Sequence, residues 1–169
     1  MDGYETILTR RSIRKYTDEE ISENMIKELI EAGVSAPSAG NQQPWQFVIL
    51  DDQKIFDEII KIHPNSKMLK NAKKAILICG DLNLERHKGY WILDCAAVTQ
   101  NILLAAHANG LGAVWLGVHP REQRMNGIID LFNLPKHILP ISLLSIGYPA
   151  ETVVKPERFN QEKAHYEKW

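Results

Sequence analysis

The apolar positions of the chain change their period several times, and each change marks an element. Tyr4, Ile7, Leu8 and Arg11 fall at helical spacing, which predicts a short first helix whose last turn carries Arg10 and Arg11. Ser22 stands before a second periodic run of Ile26, Leu29, Ile30 and Gly33. A serine N-cap with Ile21 and Ile26 stapled across it predicts a helix to about Ser35. APSAGNQQPW, residues 36–45, breaks the periodicity with Pro, Gly, Ser and Asn and reads as a structured loop. QFVIL, residues 46–50, then reads as a strand, and Ile55, Phe56, Ile59 and Ile60 return to helical spacing. HPNSKMLKN is a polar connection with room for one helical turn. AILIC, residues 75–79, is apolar at every position and predicts a short strand covered on both faces.

From Gly89 to Asn109 the pattern is apolar around most of a helix, unlike a helix that lies on a surface. Such a helix belongs at the centre of the fold or at a subunit interface. Gly110 and Gly112 end it; AVWLGV predicts a strand, Arg121 to Phe132 a helix, and ISLLSIGYP a last strand closed by Gly147 and Pro149. The tail from Ala150 to Trp169 reads as irregular. With no repeat or linker in its 169 residues, the chain is expected to form one domain spanning 1–169.

Composition narrows the function more than the fold. Twenty basic and 21 acidic residues leave a net charge of -1, so no global field draws the chain to nucleic acid or an anionic membrane. The opening MDGYETILTRRS lacks the basic stretch and apolar core of a secretory signal, and no apolar run approaches the roughly 20 residues of a membrane helix. A cytoplasmic location is the expectation. Cys79 and Cys95 form no CxxC pair and suit buried, reduced thiols. The six histidines are scattered without metal-ligand spacing, so no metal centre is expected.

Charge is nonetheless concentrated in RRSIRKY, residues 10–16, where Arg10, Arg11, Ser12 and Arg14 offer donors that match phosphate oxygens. Surface ion pairs with Asp18, Glu19 and Glu20 would explain the same residues equally well. The loop from Pro37 to Trp45 has small residues that let a flat ligand approach the backbone, followed by amides able to donate and accept. A turn-rich connection anchored by Trp45 is the plainer alternative.

RRSIRKY, APSAGNQQPWQF, GLGAVWLG and IGYPAE, in that order and at suitable intervals, resemble the FMN-dependent nitroreductase family along nearly the whole chain. The resemblance implies an α+β fold, a mixed β-sheet flanked by helices, in an intertwined homodimer with FMN at the interface. It assigns Arg10, Arg11, Ser12 and Arg14 to the phosphate and ribityl chain. It assigns Pro37, Ser38, Ala39, Asn41 and Gln43, from the other subunit, to the cover of the flavin, and Trp115, Leu116 and Gly117 to its ring. Lys155 and Arg158 match a late basic pair at the phosphate, and Asn65 and Lys67 match a pair near the ring, at a spacing that differs from the family's. The implied activity is NAD(P)H-dependent reduction of nitroaromatic, quinone or related acceptors by ping-pong hydride transfer. Reductive dehalogenase, oxidase, ene reductase or non-catalytic flavin-binding roles share the fold. In the enzyme readings the cofactor carries the hydride and needs no protein nucleophile, and a cation at the ring, Arg14 or Lys67, would favour its reduced form.

Overall fold

The computed structural model describes residues 2–154 and 156–169. Lys155, one of the expected phosphate contacts, lies outside the described residues. Five helices are described: α1 (Gly3–Thr9), α2 (Glu23–Val34), α3 (Gln53–Ile62), α4 (Trp91–Ala108) and α5 (Glu122–Phe132). The strands are β1 (Trp45–Leu50), β2 (Lys74–Asp81), β3 (Gly112–Gly117) and β4 (Ile138–Gly147). They form one sheet in the order β1-β2-β4-β3, and every neighbouring pair is antiparallel. The parallel character expected of a mixed sheet is confined, among the described residues, to a single bridge between Ser12 and Ala113.

Local signals account for the helix ends. Ser22 accepts a hydrogen bond from the Met25 N–H, as a serine N-cap does. Helix α1 stops earlier than its apolar spacing suggests: it ends at Thr9, and Arg10 is its C-cap rather than part of its last turn. Arg11 then folds back, donating from Nη1 to the Arg10 carbonyl and from Nη2 to the Leu8 carbonyl at 2.9 Å. A cation on carbonyls left over at a helix C-terminus is favourable on both hydrogen-bond and dipole grounds.

The sheet is packed on both faces, which explains the unbroken apolar run of β2. Ile76 and Ile78 join Leu144 and Ile146 beneath α2 and α4. Ala75, Leu77 and Cys79 join Val114, Leu116 and Leu143 beneath α3 and α5, with Phe56, Ile59 and Ile128. Successive strand residues point to opposite faces, so a strand inside three layers must be apolar throughout. Helix α4 is the expected central element, with Cys95, Val98, Thr99 and Ile102 wholly buried. Gly33 allows α2 to lie close on it, since a Cβ there would come within 2.7 Å of Ile102. Among the described residues no helix is long and apolar enough to cross a membrane.

Burial raises both cysteine thiols to about 12. The thiolate is the reactive form, so the native protein should leave Ellman's reagent nearly untouched at pH 8, whereas unfolded protein should release two equivalents of chromophore. Rapid labelling of the native state would show that this core opens readily.

Candidate functional site

β3 lies at the edge of the sheet, and the basic stretch is laid along its free side. The Ile13 N–H donates to the Ala113 carbonyl at 3.1 Å, next to the Ser12–Ala113 bridge. Further on, Tyr16 bridges Pro149, and its hydroxyl donates to the carbonyls of Ile13 and Ser145. Burial raises the Tyr16 phenol to about 12. The close approach depends on two glycines of the late motifs. A Cβ at Gly112 would meet Ile13 at 2.6 Å, and one at Gly147 would meet the Tyr16 ring at 2.6 Å.

This anchoring divides the basic cluster. The Arg10 guanidinium is held below its ordinary range by burial first, then by repulsion from Arg11 and Arg158. Arg158 therefore comes from the far end of the chain to join Arg10, as the late basic motif implies. Glu151, a carboxylate that reaches the stretch from the late IGYPAE motif, is occupied by backbone: its Oε1 accepts from the Arg14 N–H at 2.6 Å and the Lys15 N–H at 3.1 Å. The alternative of surface ion pairs fails, because among the described residues none of the salt bridges involves Arg10, Arg11, Arg14 or Arg158, and Glu20 pairs with Lys73 instead.

Arg14 points elsewhere, into a cleft of about 570 Å³ that it lines with Asn65, Lys67, Trp115, Leu116 and Gly117. The structure thus brings together the early motif, the NSKML turn and the β3 strand end. Lys67 begins a short 3-10 turn, Lys67–Asn71, that closes over Leu69. Alternate residues of an edge strand aim their N–H and C=O outward. Ala113 uses that side to accept from Ile13, and Gly117 uses it to accept from His63 and Arg124. By the same parity Trp115 presents an N–H and a C=O to the cleft.

His63 and Arg124 also line this cleft, and neither was assigned a site role from the sequence. His63 is 1% exposed. Its Nε2 donates to the Gly117 carbonyl at 3.0 Å, and its Nδ1 accepts from the Asn65 N–H at 3.3 Å, which fixes the neutral Nε2–H tautomer. Arg124 Nη1 donates to the same carbonyl at 2.8 Å. Burial lowers the His63 pKa from 6.5; the Gly117 bond opposes that shift and Arg124 adds to it. A histidine with a depressed folded pKa stabilises the native state above the unfolded value, and that contribution is lost as pH falls below about 6.5. The urea midpoint should therefore drop on acidification through that window, and His63→Gln should flatten part of the drop. Equal slopes in the two proteins would remove His63 as a source.

The Pro37–Gln43 loop does not line this cleft. It is a tight turn with Gly40, Asn41 and Gln43 all at positive φ. The Ser38 hydroxyl accepts from the Gln43 N–H, and the Gln43 amide donates to Asn41. Its anchor is Asp94, buried in the first turn of α4. Asp94 accepts from the Ala39 N–H at 2.9 Å and from Gln42 Nε2 at 2.6 Å, while Gln42 Oε1 accepts from the N–H groups of Arg86 and His87. One carboxylate in the otherwise apolar WILDCAAV run was the signal for this anchor.

Comparison with known proteins gives the family. The Nitroreductase family model matches residues 7–148. A relative from Methanothermobacter thermautotrophicus, named as a candidate NADH dehydrogenase/NAD(P)H nitroreductase, is 45% identical over the whole chain and 88% of its own length. A crystal structure of a protein of the same description from Parabacteroides distasonis superposes with a TM-score of 0.95 at 39% identity, over 99% of this chain and 98% of that one. A candidate nitroreductase from Desulfovibrio desulfuricans, crystallised in complex with FMN, gives a TM-score of 0.87 at 30% identity over 100% of this chain and 98% of its own. The cation-lined cleft along β3, the glycines that admit the basic stretch and these matches lead to one statement: the chain belongs to the nitroreductase family.

Proposed function

We propose that the protein is an FMN-dependent oxidoreductase that works as a homodimer, taking reducing equivalents from NADH or NADPH and delivering them to nitroaromatic, quinone or related acceptors. The observation that carries this reading is the cleft beside β3, lined by Arg14, Lys67 and Arg124 and, among the described residues, by no carboxylate. Its residues fit the cofactor. Arg10 and Arg158, mutually repelled and without an ion-pair partner among the described residues, suit a phosphate. The outward N–H and C=O of Trp115 suit the polar edge of a heterocycle, and Arg14 and Lys67 supply positive charge along the wall. Bound FMN supplies reversible two-electron chemistry; the chain's share is to hold and orient it and to set the surrounding charge.

The homodimer explains two features that a single chain leaves open. The Pro37–Gln43 loop is rigidly built yet absent from its own chain's cleft, as expected if it serves the partner's. Helices α1 and α4 carry exposed apolar side chains, Tyr4 at 75%, Ile7 at 59% and Leu93 at 63%, and Ile7 lines a groove with Ala32, Leu104, Ala105 and Ala108. Such a patch is what a second copy would cover.

The test is spectroscopic. Purified protein given FMN should turn yellow, bleach anaerobically on addition of NADH or NADPH, and recover its colour with a nitroaromatic. Failure to retain FMN sinks the flavin reading. Retention without bleaching sinks the nicotinamide-dependent reductase and leaves a flavin binder. Sedimentation should give twice the chain mass, and a monomer of full activity would remove the shared site.

A further inference from the structure

The cleft carries one more cation than the cofactor reading uses. Arg10 and Arg158 account for a phosphate, and Arg14 and Lys67 for the ring. Arg124 arrives from α5, beside Gly117 at the end of β3, and is half-buried. Its hydrogen-bonding contacts among the described residues are those of Nη1 alone, to the Gly117 carbonyl and beside His63. No salt bridge among the described residues engages it. The neutral His63 tautomer cannot relieve its charge, because the nearby Nε2 carries a proton aimed at the same carbonyl.

Tying α5 to β3 would require only one donor. A guanidinium fixed through one nitrogen, with Nε and Nη2 left over, is instead set to receive an oxyanion in bidentate fashion. Its proximity to Arg14 and Lys67 in one cleft raises the local potential for any anion that enters.

We infer that Arg124 receives the oxyanion of the reactant that enters the cleft beside the flavin, either a carboxylate on the electron acceptor or a phosphate of the nicotinamide donor. This rests on the flavin reading above. Arg124 is then a specificity-determining residue that favours anionic reactants over neutral ones of the same shape.

The experiment uses FMN-loaded wild type, Arg124→Gln and Arg124→Lys. Oxidised holoprotein is titrated with benzoate and with benzamide while flavin absorbance is followed, and kcat/KM is measured for 4-nitrobenzoate against 4-nitrobenzamide. Wild type should prefer the acid in each pair. Arg124→Gln should weaken benzoate about tenfold and lower the acid-to-amide kcat/KM ratio by a similar factor, with partial recovery in Arg124→Lys. That result assigns the anion to the acceptor. A rise in KM for both NADH and NADPH with the acceptor ratio unmoved assigns it to the donor. An unchanged ratio with unchanged nucleotide KM overturns the inference, and so does loss of FMN from Arg124→Gln, which would make Arg124 a cofactor contact. Wild type that never takes up FMN fails at the earlier step and overturns both readings.

Discussion

Replacing Arg10 and Arg158 together by alanine should strip FMN from the protein without weakening the apo-protein. In the free protein Arg10 is partly buried beside two other guanidinium groups, so its charge is a cost to the fold. Removing that charge and one of its repellers should leave the apo melting temperature equal or higher. Charge-assisted contacts to a phosphate contribute roughly 1.5–3 kcal/mol each, so losing one should weaken FMN binding at least about tenfold, and losing both considerably more. Fluorescence titration of apo-protein with FMN gives the first quantity and a thermal melt gives the second. Lost affinity with a lower apo melting temperature would mean the arginines hold the fold, and retained affinity would place the phosphate elsewhere.

Asp94→Ala should have the opposite signature, a large loss of stability with the phosphate cluster intact. The substitution takes the acceptor from two donors, the part-buried Ala39 N–H and the buried Gln42 amide, and Gln42 in turn holds the backbone at Arg86 and His87. One unsatisfied buried donor and two lost bonds to a carboxylate together cost about 3 kcal/mol. In a chain of this size that lowers the melting temperature by roughly 6–12 °C. Asp94→Asn, which keeps one acceptor oxygen, should fall between. A loss below about 1 kcal/mol in the alanine variant would show that the positive-φ turn stands without its anchor.

The contrast shows what could be read before the fold was known. The Ser22 cap, the two-faced β2 and the apolar α4 were legible because each is written in consecutive residues, as a cap, a run or a period. The assignment of Arg10 and Arg158 to one cluster rested on resemblance, and the repulsion that Arg158 exerts on Arg10 is in line with it. Arg11 was misplaced because its neighbours continue a helical spacing, whereas its side chain turns back onto the Leu8 carbonyl. His63 and Arg124 were invisible for a different reason. They acquire a role only by meeting at Gly117, and Arg124 sits in a run, RMNGIID, that looks like any solvated helix face. Long-range meetings of this kind leave no local period. Asp94 did leave one clue, an acid in an apolar helix.

The edge of β3 has a consequence for how the chain behaves in a crowded cell. Exposed strand edges invite other strands, and long bare ones seed aggregation. Here Ile13 closes the edge at Ala113, and His63 with Arg124 closes it at Gly117, so the only outward position left between those stoppers is Trp115. A foreign strand needs a row of such positions to add itself to a sheet, whereas a flat heterocycle needs only one. The same few contacts that shape the cleft therefore act as a size filter on what can pair with the backbone, admitting a small molecule and refusing a polypeptide.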